Sequence, residues 1–152
     1  QLSFNTGLLS READTPLAIV EGLGMYAEIR KLSGRSDLGK MNRSRLDDLA
    51  HVLRRRKWIP VKELLTLDQS ILNNDRDLVD LFYAESWLLV DFLIREQDRL
   101  PRFQEYLKSI AARLNRSHRL DDAETHFGNL DRFDRDMKVF LVRLQTGRKG
   151  GT

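Results

Sequence analysis

Three acids and a tyrosine fall where helical winding puts apolar side chains. Residues 15 to 32, wound at about 100° each, carry apolar groups on nearly every bearing. Glu21 and Glu28 are seven residues apart, so their bearings differ by only ~20° and they stand ~10.5 Å apart along the axis. Their neighbours on that face are Leu17, Met25 and Leu32. A buried carboxylate is costly unless a cation, a metal or strong donors stand beside it. Gly22 and Gly24 flank this position, although glycine costs a helix ~1 kcal/mol relative to alanine. Glycines beside an acid let another backbone or a ligand approach closely. Residues 78 to 96 repeat the pattern, with Glu85 on the bearing of Leu81, Leu89 and Phe92, while Asp80, Asp91 and Arg95 share a polar strip. Tyr83 lies between Val90 and Ile94, an apolar setting in which its hydroxyl must find a partner. Two readings follow for the acids. They form ion pairs with the plentiful arginines, or they are functional carboxylates. Tyr83 is likewise either a core aromatic or a working hydroxyl.

Helices must position these groups, and the three prolines mark where helices begin. Pro16, Pro60 and Pro101 each precede an apolar period of helical spacing, and proline suits the first helical position. The first helix is capped by Asp14 or Thr15 and runs to about Leu32, where Ser33 to Gly39 supply turn chemistry. A second spans about Arg43 to Lys57, with Leu46, Leu49 and Leu53 on one face. A short one follows Pro60 through Val61, Leu64 and Leu65, and Asn73-Asn74-Asp75 is a loop. The most apolar helix runs from Asp77 to about Arg95. After Pro101 comes a stripe of Phe103, Tyr106, Leu107, Ile110 and Leu114. Asp121 to Glu124 resembles a capping box for a short helix that Gly128 stops. A last helix carries Phe133, Met137, Phe140, Leu141 and Leu144. The pattern predicts an all-α fold over residues 1–146, with a flexible tail from Gly147 to Thr152.

Composition narrows the chemistry. With 152 residues, the chain suits one domain. The absence of cysteine removes disulfide scaffolds, thiolate metal sites and cysteine nucleophiles. No apolar run reaches the roughly 20 residues of a membrane-spanning helix. The net charge of +3, its two signs interleaved, does not demand nucleic acid. The basic run Arg54-Arg55-Arg56-Lys57 beside Trp58 could grip phosphates and stack a base, but cations also suit a helix C-terminus, and no nucleic-acid partner is expected.

The run Glu21-Gly22-Leu23-Gly24-Met25-Tyr26-Ala27-Glu28 resembles the Glu-Gly-Leu-Ala-x-Tyr-x-Glu segment of a bacterial family of uncharacterised gluzincin-like domains, zinc metallopeptidases of the peptidase MA-like group. The segment Tyr83 to Val90 is similar to that family's Tyr-x-Gln-Ser-Trp-x-Leu-Val helix. Phe103 to Leu107 and Ala123 to Gly128 follow in the expected order, so the resemblance covers nearly the whole chain. It implies that a His-Glu-x-x-His helix comes ahead of a run like Gln1 to Leu8. Glu21 would then be the third protein ligand of zinc, and Tyr83 the tyrosine that stabilises an oxyanion. Glu28, Asn5 and Glu85 would support and orient these groups from behind. Chemistry accords with this set, since catalytic zinc commonly takes two histidines, a carboxylate and a water, with the motif's glutamate as general base.

This sequence departs from the family pattern in places. It contains no His-x-x-x-His; its only histidines are His51, His118 and His126, which read as surface residues. Gly24, Met25 and Glu85 stand where alanine, an acid and glutamine are common. The expectation is therefore the helical part of a zinc metallopeptidase whose substrate is a peptide or protein. It should be inactive as it stands and retain no zinc, because the His-Glu-x-x-His helix ahead of Gln1 is missing. The resemblance also implies an exported or envelope-associated protein. The alternative is a non-catalytic helical interaction domain in which Glu21, Glu28 and Glu85 pair with arginines.

Overall fold

The computed structural model describes residues 13–32, 38–72 and 75–147, all of them helix or connection. The fold is all-α. Helices α1 (Leu17–Leu32), α2 (Leu38–Leu53), α3 (Val61–Thr66), α4 (Gln69–Leu72), α5 (Arg76–Arg95), α6 (Leu100–Ile110), α7 (Arg119–Phe127) and α8 (Leu130–Gly147) follow one another, with a 3-10 turn at Arg116–His118 ahead of α7. Among the described residues, no helix is long and apolar enough to cross a membrane.

The prolines mark helix starts as expected. Pro16 immediately precedes α1, Pro60 caps α3, and Pro101 is the second residue of α6. Gly128 ends α7 at φ +76°, where a residue with a Cβ would be strained.

Helix α5 is the axis of the molecule. Asp75 caps it by accepting the Leu78 N–H at 3.1 Å. From Glu85 to Leu93 it is buried without a break, so neighbours cover it on all sides. Helix α1 packs along one side, α2 on another, and α3, α6 and α8 on the rest. Such a helix needs no amphipathic stripe, because it has no solvent face over that stretch. Phe92 continues into an aromatic cluster, its ring 5.3 Å from Phe133 and 5.1 Å from Phe140. The Arg99 guanidinium lies over Phe92 at 4.4 Å.

Several expectations are corrected. Asp91, placed by winding on a polar strip, is 1% exposed. Its charge is met by Arg95 at 2.8 Å from the next turn. Helix α2 runs from Leu38 to Leu53 rather than from about Arg43 to Lys57. Gly39 sits in its first turn, where amides lack intrahelical partners and a weak helix former costs least. Leu114 is 78% exposed, since α6 stops at Ile110 and the stripe does not reach it. Helix α7 begins at Arg119, not at an Asp121 cap, and Asp122 instead accepts two bonds from Arg113 at 2.9 and 2.7 Å. The helix at Gln69–Leu72 was not expected. Asn5, the turn at 33–37 and the tail from 148 lie outside the described residues.

Candidate functional site

The site is built on the seam between α1 and α5. Gly22 is the reason the two helices meet so closely. A Cβ there would collide with the carbonyl oxygen of Ser86 and with Val90 Cγ2, so α1 rests directly on the backbone of α5. The close approach expected of glycine at this point is a helix-to-helix contact. Gly24 has open space around it.

This contact fixes Glu21 beside Tyr83. Glu21 is half-buried. Burial pushes its carboxyl above the ordinary range, and the negative charge of Glu28 pushes it further. Tyr83 is half-buried, with its ring edge-on to Phe82 at 5.8 Å. Burial raises its hydroxyl's pKa, and the Glu21 charge raises it again. Carboxylate and phenol thus feel each other across the seam.

The arginine partners open to the acids do not appear. Among the described residues, neither Glu21, Glu28 nor Glu85 forms an ion pair. Glu28 is exposed rather than buried, and it reaches Glu21 only through its charge.

Glu85 stands apart from this pair. Two residues beyond Tyr83, it points about 200° away around α5. It is fully buried, with Oε1 accepting the Ile59 N–H at 3.1 Å and Oε2 without a partner. Burial raises its pKa to about 9, with the neighbouring charge of Asp134 adding to the rise. At neutral pH it is therefore an uncharged acid that holds the strand of chain leading into α3. It supports α3, not Glu21.

Trp58 and two arginines of the basic run have partners within the fold. The Trp58 indole N–H donates to Asp134 at 2.9 Å, and the Lys138 ammonium lies over the ring at 5.4 Å. Arg55 pairs with Asp77 at 3.3 Å, and Arg56 pairs with Asp75. The aromatic that would have stacked a base is engaged in the fold.

A groove of about 320 Å³ opens between α2 and α5. Arg45, Asp48, His51, Val52 and Arg55 line it from α2, and Asp80, Tyr83 and Ala84 from α5. Tyr83 thus faces both the Glu21 seam and the groove. Winding could not reveal the groove, because it depends on where α2 lies against α5.

Among the described residues, no three acids or histidines gather as a metal-binding group. His51 is exposed, and His126 lies against the Tyr106 ring at 6.0 Å. Glu21 and Glu28 are coupled through their charges but do not form such a group.

A sequence profile of the family described as Protein of unknown function (DUF1570) matches residues 1–115. The chain belongs to this family. No curated protein and no solved structure matches it. The part of the chain matched to DUF1570 takes in Glu21, Gly22, Tyr83, Glu85 and the whole lining of the groove, and stops ahead of α7 and α8.

Proposed function

We propose that the chain is the helical part of a zinc-dependent metallopeptidase domain that hydrolyses peptide bonds. The observation that carries this reading is Glu21, a half-buried carboxylate without an ion pair among the described residues, set beside a tyrosine on the neighbouring helix. Burial has removed part of its hydration, so a cation supplied at this point would recover what the carboxylate has lost. The residues fit a metal in this limited sense. Glu21 would be its carboxylate ligand, completed by two histidines ahead of Gln1. Zinc, when bound, supplies an acidified water and stabilisation of developing negative charge.

The chain's own residues do the rest. Tyr83 stays protonated at neutral pH, because burial and Glu21 raise its pKa. It can therefore donate its O–H to a carbonyl oxygen that gains negative charge. Gly22 holds the two helices in contact, so that carboxylate and phenol keep their spacing.

The first test is the coding sequence ahead of Gln1. The reading expects His-Glu-x-x-His ending at, or within a few residues of, that position. A chain that includes this motif should bind one zinc, and Glu21→Gln should abolish stoichiometric zinc by elemental analysis with the helical circular dichroism unchanged. Stoichiometric zinc retained by the variant would overturn the assignment. The alternative, a non-catalytic helical scaffold, is favoured if no metal ever binds and Glu21→Gln unfolds the chain.

A further inference from the structure

We propose that the groove between α2 and α5 is a specificity subsite for a basic side chain, lysine or arginine, of a peptide. The peptide substrate rests on the metallopeptidase reading; the charge preference rests on the groove itself. Three observations carry it.

The first is position. Tyr83 lines both the groove and the seam that holds Glu21, so a chain passing Tyr83 would have its neighbouring side chain at the groove mouth. The second is size. At about 320 Å³, the groove lies at the small end of the roughly 300–1,000 Å³ typical of ligand sites. It suits one extended side chain better than a nucleotide or other large cofactor.

The third is the state of its charges. Arg55 is committed to Asp77 at 3.3 Å. His51 is engaged with Arg54, its Nδ1 2.9 Å from the guanidinium. There remain Asp48 on one wall, Asp80 on the other, and Arg45 one helical turn from Asp48. Among the described residues none of these three has an ion-pair partner. Two carboxylates against one guanidinium leave a single negative charge. One incoming ammonium or guanidinium balances it without displacing an existing pair. Val52 and Ala84 offer apolar surface for the aliphatic stem of such a side chain. An acidic side chain or a phosphate could pair with Arg45 but would leave both carboxylates unbalanced.

The test uses the ¹⁵N-labelled 152-residue chain and three blocked pentapeptides, identical except for a central lysine, norleucine or glutamate. The lysine peptide should shift the amides of Asp48, Val52, Asp80 and Ala84 and bind at least threefold more tightly than the other two. Asp48→Asn and Asp80→Asn should each weaken the lysine peptide by about two- to fivefold, as expected for exposed ion pairs, and leave the norleucine peptide unchanged. Both aspartates are exposed, so the variants should keep the wild-type spectrum outside the groove. Raising the salt concentration gives a second readout without mutation and should erase the lysine advantage. Equal affinities for the three peptides, shifts located elsewhere, or no shift at millimolar peptide would overturn the proposal. Zinc dependence is measured separately through Glu21. In the longer chain that carries the upstream motif, a lysine preference with no zinc ever bound sinks the metallopeptidase reading alone, and zinc binding without a lysine preference sinks the subsite alone.

Discussion

Glu85 shows how much one buried carboxyl can impose on a fold. Its pKa of about 9 against an ordinary 4.5 means that the folded chain holds a proton which the unfolded chain releases. Between those two values the folded state binds more protons, so its stability falls as pH rises, by about 1.4 kcal/mol per unit for one such group. Below pH 4.5 both states are protonated and the penalty vanishes, while above 9 it is fully present. Glu85→Gln keeps an acceptor for the Ile59 N–H and removes the titration. The stability difference between variant and wild type, from urea unfolding at pH 5, 7 and 9, should therefore grow steadily in favour of glutamine. A constant difference would show that the buried group is not the one titrating. Winding found Glu85 correctly, because a helix covered on all sides buries every bearing. The same covering defeated it at Asp91, which winding placed on a polar strip. It also misplaced Glu28, which shares Glu21's bearing but is exposed. A bearing says which side of its own helix a residue occupies, and only the neighbouring helices decide whether that side is covered.

At the scale of elements, the seam between α1 and α5 depends on one missing methyl group. Gly22 and Gly24 look equivalent in sequence, two residues apart in one helix, yet their surroundings are opposite. At Gly22 a Cβ would meet Ser86 and Val90, and at Gly24 it would meet nothing within 4 Å. Gly22→Ala should thus cost about 1–3 kcal/mol by forcing α1 off α5. Gly24→Ala should stabilise by up to ~1 kcal/mol, since alanine is the better helix former and no contact is lost. Thermal unfolding of the two variants separates these signs, and destabilisation of both by the same amount would refute the packing account. Most of the helices were legible, since the prolines and Gly128 are local signals. Helix α2 was misjudged at both ends because its first turn contains Gly39, and the basic residues after Leu53 continue a helical composition without continuing the helix. The four-residue α4 is too short to carry a period at all.

For the whole molecule, the question is what anchors the start of α1, since Glu21 lies only one turn into that helix. Backbone and side chain answer together. The Asp14 N–H donates to the Arg113 carbonyl at 2.8 Å. The Asp14 carboxylate takes two bonds from Arg119, at 2.6 and 2.8 Å. Arg119 also donates to Asp68 at 3.1 Å, so one guanidinium ties the entry of α1 to the first residue of α7 and to the connection between α3 and α4. It is 7% exposed and spans 105 residues of sequence to Asp14. Nothing in the sequence separates this arginine from its many neighbours, because its partners are distant and the fold alone brings them together. Removing it takes a cation from two carboxylates, one of them nearly buried, and breaking a buried pair from one side typically costs about 3–5 kcal/mol. Arg119→Met should therefore cost several times more than Arg113→Met, whose partner Asp122 is buried but whose own side chain is 42% exposed and so has water to share the load. Asp14→Asn in the Arg119→Met background should recover part of the loss, because it removes the charge that Arg119 had balanced at the entry of α1. Urea unfolding of the single and double variants gives the coupling directly. Additive costs would mean that Arg119 acts through packing rather than through the charge of Asp14.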